Sequence, residues 1–165
     1  MNKKKNNTNL EAGTTRILVV DDHPIVRDGM ADLLNLEEDF MVIARASNMT
    51  EAIEAVKKQQ IDLALVDMLL INETGVQVTK KIKALCPNII VMIFSMSDDL
   101  KHIEQAFEAG ARGYIIKDEV SEKIIDAIRQ VLDGGIYLSN RLAKKFPKHE
   151  LIAHTVQKFI SVLGI

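Results

Sequence analysis

The chain has 165 residues, a formal net charge of −2 at pH 7 and an apolar fraction of 47%. This length accommodates one domain with its own core plus terminal segments, and the apolar fraction excludes a wholly disordered chain. The charge balance shows no basic footprint of a nucleic-acid-binding domain, and the single cysteine, Cys86, excludes an internal disulfide and favours a reducing, cytoplasmic location.

Residues 1–14 are rich in Asn, Lys and Thr and contain little that could be buried, which predicts a disordered tail. The lysines at positions 3–5 are not followed by the continuous apolar segment that a secretion signal requires. Eighteen consecutive apolar residues occur nowhere, so we expect no membrane span.

Short apolar runs alternate with segments of helical periodicity over residues 15–137, which we interpret as one domain. The predicted strands are Ile17–Val20, Met41–Ala44, Leu63–Val66, Ile89–Phe94 and Tyr114–Ile116. The first three predicted helices are about Ile25–Leu36, Glu51–Lys58 and Val76–Leu85. A fourth is capped by residues 97–99 and ends at Glu108. A fifth is capped by Ser121 and Glu122 and ends before Gly134. In the first helix the residues expected to face the sheet are Ile25, Val26, Met30, Leu33 and Leu34.

The strands are apolar without polar alternation, as is typical of a parallel sheet that helices cover on both faces. Five alternations of strand and helix predict right-handed crossovers. We therefore predict an α/β fold, a flavodoxin-like (βα)5 doubly wound sheet with strand order 2-1-3-4-5.

Polar residues follow four of the five predicted strands. They are Asp21 with Asp22, then Asp67, Ser95 and Lys117. The carboxyl ends of parallel strands meet at one edge of the sheet, so these side chains should lie together. Three crowded carboxylates require a compensating cation, and oxygen ligands select a hard ion such as Mg²⁺. With a lysine and a hydroxyl beside them, they predict a site for phosphoryl transfer with Asp67 as nucleophile.

His23 follows the acid pair directly. An imidazole beside two carboxylates could indicate a transition-metal site, but no second histidine lies near it in the sequence. We favour a role as part of the helix cap, with Pro24 in the first helical turn.

The segments Val19–Pro24, Leu65–Asp67 and Gly113–Asp118, together with Ser95, resemble the receiver domain of two-component response regulators. Asp-Asp-His-Pro and Gly-Tyr-x-x-Lys-Asp resemble the NarL/FixJ, or LuxR-type, subfamily in particular. The resemblance covers residues 15 to about 137.

The resemblance implies that Asp67 accepts phosphate from a sensor histidine kinase or a phosphotransfer protein. It implies Mg²⁺ on Asp22, Asp67 and the backbone carbonyl of Leu69, with Asp21 holding a metal-bound water. Lys117 would pair with the phosphoryl group, and such a protein would be no enzyme beyond slow hydrolysis of its own aspartyl phosphate.

The resemblance further implies a switch in which Ser95 bonds the phosphoryl group and draws Tyr114 inward, remodelling the surface of the last helices. Three residues depart from the family pattern, namely Leu69, Ile71 and Met96. Two alternatives follow: these residues slow phosphorylation, or they abolish it.

Residues 138–165 are predicted as a linker and an amphipathic helix. Residues 155–165 resemble the closing stretch of the subfamily's DNA-binding helix-turn-helix module, as a remnant or by chance. The 28 residues after Tyr137 are too few for that module, so we expect no specific DNA binding. The apolar face of the segment predicts homodimer formation or docking on the receiver.

Three hypotheses follow: a phosphorylatable switch acting through protein contacts, a receiver-like binding module independent of phosphate, and a shortened LuxR-type DNA-binding transcriptional regulator. A haloacid-dehalogenase-like phosphatase also uses an aspartyl nucleophile after a strand, but it ranks last. The resemblance to that family would require Asp-x-Asp here, and Leu69 occupies the second aspartate position.

Overall fold

The computed structural model describes residues 13–146. The predicted tail therefore lies almost wholly outside the described residues, and the amphipathic helix predicted for residues 148–165 lies wholly outside them. Among the described residues no helix combines the length and apolarity needed to cross a membrane.

Within residues 13–146, six parallel strands form a single sheet in the order β2-β1-β3-β4-β5-β6. The strands are β1 (Thr15–Val20), β2 (Phe40–Ala46), β3 (Leu63–Asp67), β4 (Ile90–Ser95), β5 (Gly113–Ile116) and β6 (Tyr137–Leu138). The predicted flavodoxin-like fold and the order 2-1-3-4-5 are confirmed. The sixth strand is an addition that the sequence pattern did not indicate.

Helices cover both faces of this sheet. They are α1 (Pro24–Leu34), α2 (Met49–Lys58), α3 (Gly75–Leu85), α4 (Leu100–Glu108), α5 (Val120–Leu132) and α6 (Asn140–Lys145), and a short 3-10 turn, Lys117–Glu119, precedes α5. The apolar residues of α1 and α5 share one buried cluster with one face of the sheet, and those of α2, α3, α4 and α6 share the other. Asp67 ends the central strand, which is buried along its whole length.

The helix starts follow local capping chemistry only in part. The side chain of Asn48 accepts a hydrogen bond from the Glu51 amide and caps α2, as predicted. Thr74 and Gln77 form a reciprocal capping box at α3. The predicted cap of α5 at Ser121 is wrong, because the helix already begins at Val120 as a continuation of the 3-10 turn.

Of the five residues of the first helix that were predicted to face the sheet, Met30 and Leu34 are buried and Leu33 packs partly buried on the same cluster, whereas Ile25 and Val26 do not. The buried residues of α1 are Met30, Ala31 and Leu34. Ile25 is 88% exposed and Val26 is 37% exposed. One turn before the buried residues, the inner stripe is occupied by Arg27, whose guanidinium donates to the carbonyl of Asp21 at 2.8 Å. Ile25 and Val26 therefore face solvent.

The described chain beyond Tyr137 packs on the edge of the sheet. The amide of Ser139 donates to the Tyr114 carbonyl at 3.0 Å, and the amide of Ile116 donates to Ser139 Oγ at 2.8 Å. Leu142 of α6 is fully buried against the core. The start of the predicted linker is thus attached to β5, one residue before Lys117.

We expect Ser139→Ala to destabilise the domain by about 1–3 kcal/mol, because it leaves the buried amide of Ile116 without an acceptor. Urea denaturation followed by circular dichroism measures the change. Ser121→Ala is the matched control, since this exposed serine of α5 should tolerate the substitution within about 0.5 kcal/mol. Equal unfolding midpoints for the two variants would contradict the role assigned to Ser139.

Candidate functional site

The acidic residues predicted from the strand ends lie together at the carboxyl edge of the sheet. Asp21 and Asp22 follow β1, and Asp67 ends β3. One ligand atom from each of these residues and from His23 lies within 4.8 Å of the others. Asp21 is fully buried and Asp67 nearly so, because both belong to strand ends that the helices enclose.

Lys117 brings one positive charge to this cluster. It is the first residue of the 3-10 turn after β5, and its Nζ lies 3.1 Å from Asp67 Oδ2 and 3.4 Å from Asp21 Oδ2. Burial raises the pKa of the Asp67 carboxyl, Lys117 opposes this effect, and the charge of Asp21 adds to it. The lysine therefore compensates the buried carboxylates only in part.

The acid cluster fits a hard divalent cation. The Asp22 side chain is 8% exposed, yet its Oδ1 accepts no hydrogen bond from any described residue, although His23 Nδ1 lies 2.8 Å away. A buried carboxylate oxygen without a partner is costly unless a cation binds it. Three carboxylates, two of them paired with one lysine, supply the oxygen ligands and the negative charge that Mg²⁺ requires.

Ser95 and Tyr114 are linked through Ser97, which the sequence indicated only as part of the cap of α4. Ser95, at the end of β4, is buried, and its Oγ accepts from the amide of Ser97 at 3.0 Å. The hydroxyl of Tyr114 donates to the Ser97 carbonyl at 2.8 Å. Burial raises the pKa of this phenol. The Tyr114 side chain is therefore already inward, held by a hydrogen bond that the sequence did not indicate.

The loops around the acid cluster are apolar and exposed. Leu69 follows β3 with 58% of its surface exposed, and its amide donates to Asp67 Oδ1 at 3.3 Å. Ile71 on the same loop and Met96 after β4 are also exposed. The Leu69 backbone thus donates to Asp67, while the side chains that depart from the family pattern face solvent.

A family model described as "Response regulator receiver domain" matches residues 17–129. The transcriptional regulatory protein LnrK of Bacillus subtilis is 38% identical over 127 residues, which are 77% of this chain and 58% of that protein. The oxygen regulatory protein NreC of Staphylococcus epidermidis is 34% identical over 128 residues, which are 77% of this chain and 59% of that protein. The chain thus spans about three fifths of the length of these relatives.

Solved structures resemble the described fold closely. A LuxR-family response regulator from Aurantimonas superposes with a TM-score of 0.78 at 30% identity, covering 84% of this chain and 99% of that one. The signal receiver domain of the response regulator NarL from Mycobacterium tuberculosis superposes with a TM-score of 0.70 at 28% identity, covering 74% and 99%.

Proposed function

This chain belongs to the response regulator receiver domain family, in its NarL/LuxR-type branch, and from that premise we propose that Asp67 accepts a phosphoryl group from a sensor histidine kinase or a phosphotransfer protein. The observation that carries the proposal is the pairing of Asp67 with Lys117 Nζ at 3.1 Å beside two further carboxylates. Signal transduction, rather than turnover of a substrate, is the general activity of this family.

In the proposed reaction a carboxylate oxygen of Asp67 forms a bond to phosphorus while the bond from phosphorus to the donor nitrogen breaks. Lys117 neutralises charge on the phosphoryl oxygens, and the hydroxyl of Ser95 donates to one of them. A Mg²⁺ ion held by Asp22, Asp67 and the Leu69 carbonyl, with Asp21 bound through water, would supply further charge neutralisation.

The proposed output passes through Ser97 and Ser139. If Ser95 Oγ turns to the phosphoryl group, the amide of Ser97 loses its hydrogen-bond acceptor. The carbonyl of the same Ser97 accepts the hydrogen bond from the Tyr114 hydroxyl. The hydroxyl oxygen of Ser139 accepts a hydrogen bond from the amide of Ile116, which directly precedes Lys117. Loss or gain of these bonds would shift the loop before α4 and the position of α6, which are the surfaces a partner could recognise.

We propose that the signal controls transcription through contacts with proteins, one of which is a second copy of the chain. LnrK is named a transcriptional regulatory protein. Two statements stay predictions: that this chain alone binds no specific DNA, and that residues 148–165 form an amphipathic helix that self-associates or docks. A cytoplasmic location, which the single cysteine Cys86 favours, is part of the same proposal.

We expect treatment with Mg²⁺ and acetyl phosphate to add one phosphate, and Asp67→Asn to add none. Intact-mass spectrometry measures the gain. Asp133→Asn, which changes an exposed carboxyl after α5, is the matched control and should keep the full gain. A phosphate that persists in Asp67→Asn would contradict the assignment, and no phosphate on the native chain would favour the binding module that acts without phosphate.

Hydrolysis of the aspartyl phosphate should be slow, because Leu69 and Met96 offer no hydrogen bond to position the attacking water and their side chains occupy its approach. We expect Leu69→Asn and Met96→Ala each to accelerate phosphate loss by about tenfold, which corresponds to ~1.4 kcal/mol in the barrier. Timed mass spectra after removal of the donor give the rates. Ile71→Asn, on the same loop, should change little. Unchanged or slower loss in the first two variants would reject this explanation.

A further inference from the structure

Ser97, which lies between β4 and α4, forms hydrogen bonds through its amide, its carbonyl and its hydroxyl. The amide donates to Ser95 Oγ at 3.0 Å, and the carbonyl accepts from the Tyr114 hydroxyl at 2.8 Å. The hydroxyl oxygen accepts from the amide of Asp99 at 3.2 Å and lies 2.7 Å from the Nδ1 atom of His102. This one residue is therefore held from two sides, by the ends of β4 and β5 and by the first turn of α4.

His102 reaches back to Ser97 from the first turn of α4, although the helix does not need the imidazole as a cap. Asp99 already caps α4, because its carboxylate accepts from the Lys101 amide at 2.9 Å. Either neutral tautomer of the ring can form the contact with Ser97, since a hydroxyl both donates and accepts. The imidazole thus serves to anchor the loop that precedes the helix.

The anchored loop is the one that phosphoryl acceptance would displace. In its resting arrangement the Ser97 amide donates to Ser95 Oγ, and a Ser95 hydroxyl that turns to a phosphoryl oxygen leaves this amide without its acceptor. A contact that is present in only one of two arrangements shifts the equilibrium toward that arrangement. The contact between His102 and Ser97 is present in the resting arrangement, so it opposes the displacement of the loop.

We propose that His102 is a positioning residue that acts through Ser97, holds the loop before α4 in its resting arrangement and thereby slows phosphoryl acceptance at Asp67. The imidazole lies outside the acid cluster and acts only through the loop. The inference rests on the proposed function, because acceptance at Asp67 is the event that His102 restrains. The net strength of one hydrogen bond corresponds to a change of about threefold to tenfold in the equilibrium of the loop.

The test compares two properties of the whole chain: the initial rate of phosphate gain from acetyl phosphate with Mg²⁺, followed by intact-mass spectrometry, and the melting temperature. We expect His102→Ala to gain phosphate about threefold to tenfold faster than the native chain, while its melting temperature is equal or lower. A residue that only stabilised the fold would give a slower gain on removal, because fewer folded molecules accept phosphate. The direction of the rate change therefore separates the two roles.

His102→Asn is the conservative variant. The side-chain amide of asparagine places an oxygen as many bonds from Cα as the imidazole places Nδ1, and this oxygen can accept from the Ser97 hydroxyl. The variant should therefore restore the native rate. Gln105→Ala, at an exposed position of α4, is the matched control and should also keep the native rate.

Ser97→Ala removes the same contact from the other side. If His102 acts through Ser97, adding His102→Ala to Ser97→Ala should change the rate no further. The inference is overturned, while the proposed function stands, if His102→Ala gains phosphate no faster than the native chain or keeps its full effect in the Ser97→Ala background. If the native chain gains no phosphate under these conditions, the proposed function and the inference both fail.

Discussion

Lys117→Ala should destabilise the domain by about 3 kcal/mol in buffer that contains a chelator, because breaking a buried ion pair leaves uncompensated charge. The lysine Nζ lies between Asp21, which is fully buried, and Asp67, which is nearly so. No other cationic side chain among the described residues forms an ion pair with either carboxylate apart from the His23 ring. Urea denaturation at pH 7 measures the loss.

The deficit of Lys117→Ala should depend on pH in a defined direction. Burial already raises the pKa of Asp67, and removal of the lysine removes the effect that lowers it. A carboxyl whose pKa is raised by folding contributes stability below its unfolded pKa and loses that contribution as the pH rises through its folded pKa. The deficit should therefore be largest at neutral pH and shrink as acidification protonates Asp67.

The matched control for this prediction is Lys101→Ala, which removes an exposed lysine of α4 and should change stability by no more than about 0.5 kcal/mol. Addition of Mg²⁺ should restore part of the stability of Lys117→Ala, because the cation compensates the same carboxylates. A deficit that is equal at pH 7 and at acidic pH would show that the lysine acts through packing and not through its charge.

Gly75→Ala should impair both the fold and phosphoryl acceptance. A Cβ at Gly75, the first residue of α3, would lie 2.4 Å from the Asp67 carbonyl oxygen and 3.0 Å from Met68 Cα. Both are backbone atoms of the chain that carries the acceptor, so α3 must move away from the end of β3. Overpacking of this kind costs about 1–3 kcal/mol. A shift of about 1 Å in the acceptor can lower a rate about 100-fold.

Gly29→Ala is the matched control, because a Cβ in this position of α1 meets nothing within 4 Å. It should stabilise the domain by about 0.5–1 kcal/mol, since alanine has the higher helix propensity. Melting temperatures and the initial rate of phosphate gain from acetyl phosphate distinguish the two variants. Similar behaviour of Gly75→Ala and Gly29→Ala would contradict the close approach of α3 to β3.

The sequence by itself determined the sheet and the composition of its carboxyl edge. Continuous apolar runs separated by helical segments leave few topologies, because parallel crossovers are right-handed and the strands must be buried on both faces. Once the sheet is parallel, residues that directly follow its strands must meet. The sequence pattern therefore places Asp21, Asp67 and Lys117 together, although their positions are 46 or more residues apart.

Only the tertiary structure decided how the first turn of α1 is used. The residues at positions 30, 33 and 34 face the core as the periodicity predicted, but in the first turn Arg27 reaches the Asp21 carbonyl and Ile25 faces solvent. The position of His23 at a helix start indicates a cap. Its imidazole instead contacts the carboxylates of Asp21 and Asp22, which follow the end of β1. This contact arises only when the carboxyl edge of the sheet is assembled.

Long-range hydrogen bonds were equally invisible in the sequence. The sixth strand has two residues, too few for a periodic pattern, and it exists because the Tyr137 amide reaches the Arg112 carbonyl and Ser139 pairs with β5. The need for glycine at position 75 likewise arises from the approach of two backbone segments. Local propensity acts within a few residues, whereas these contacts depend on where distant segments meet, and that is settled only when the core packs.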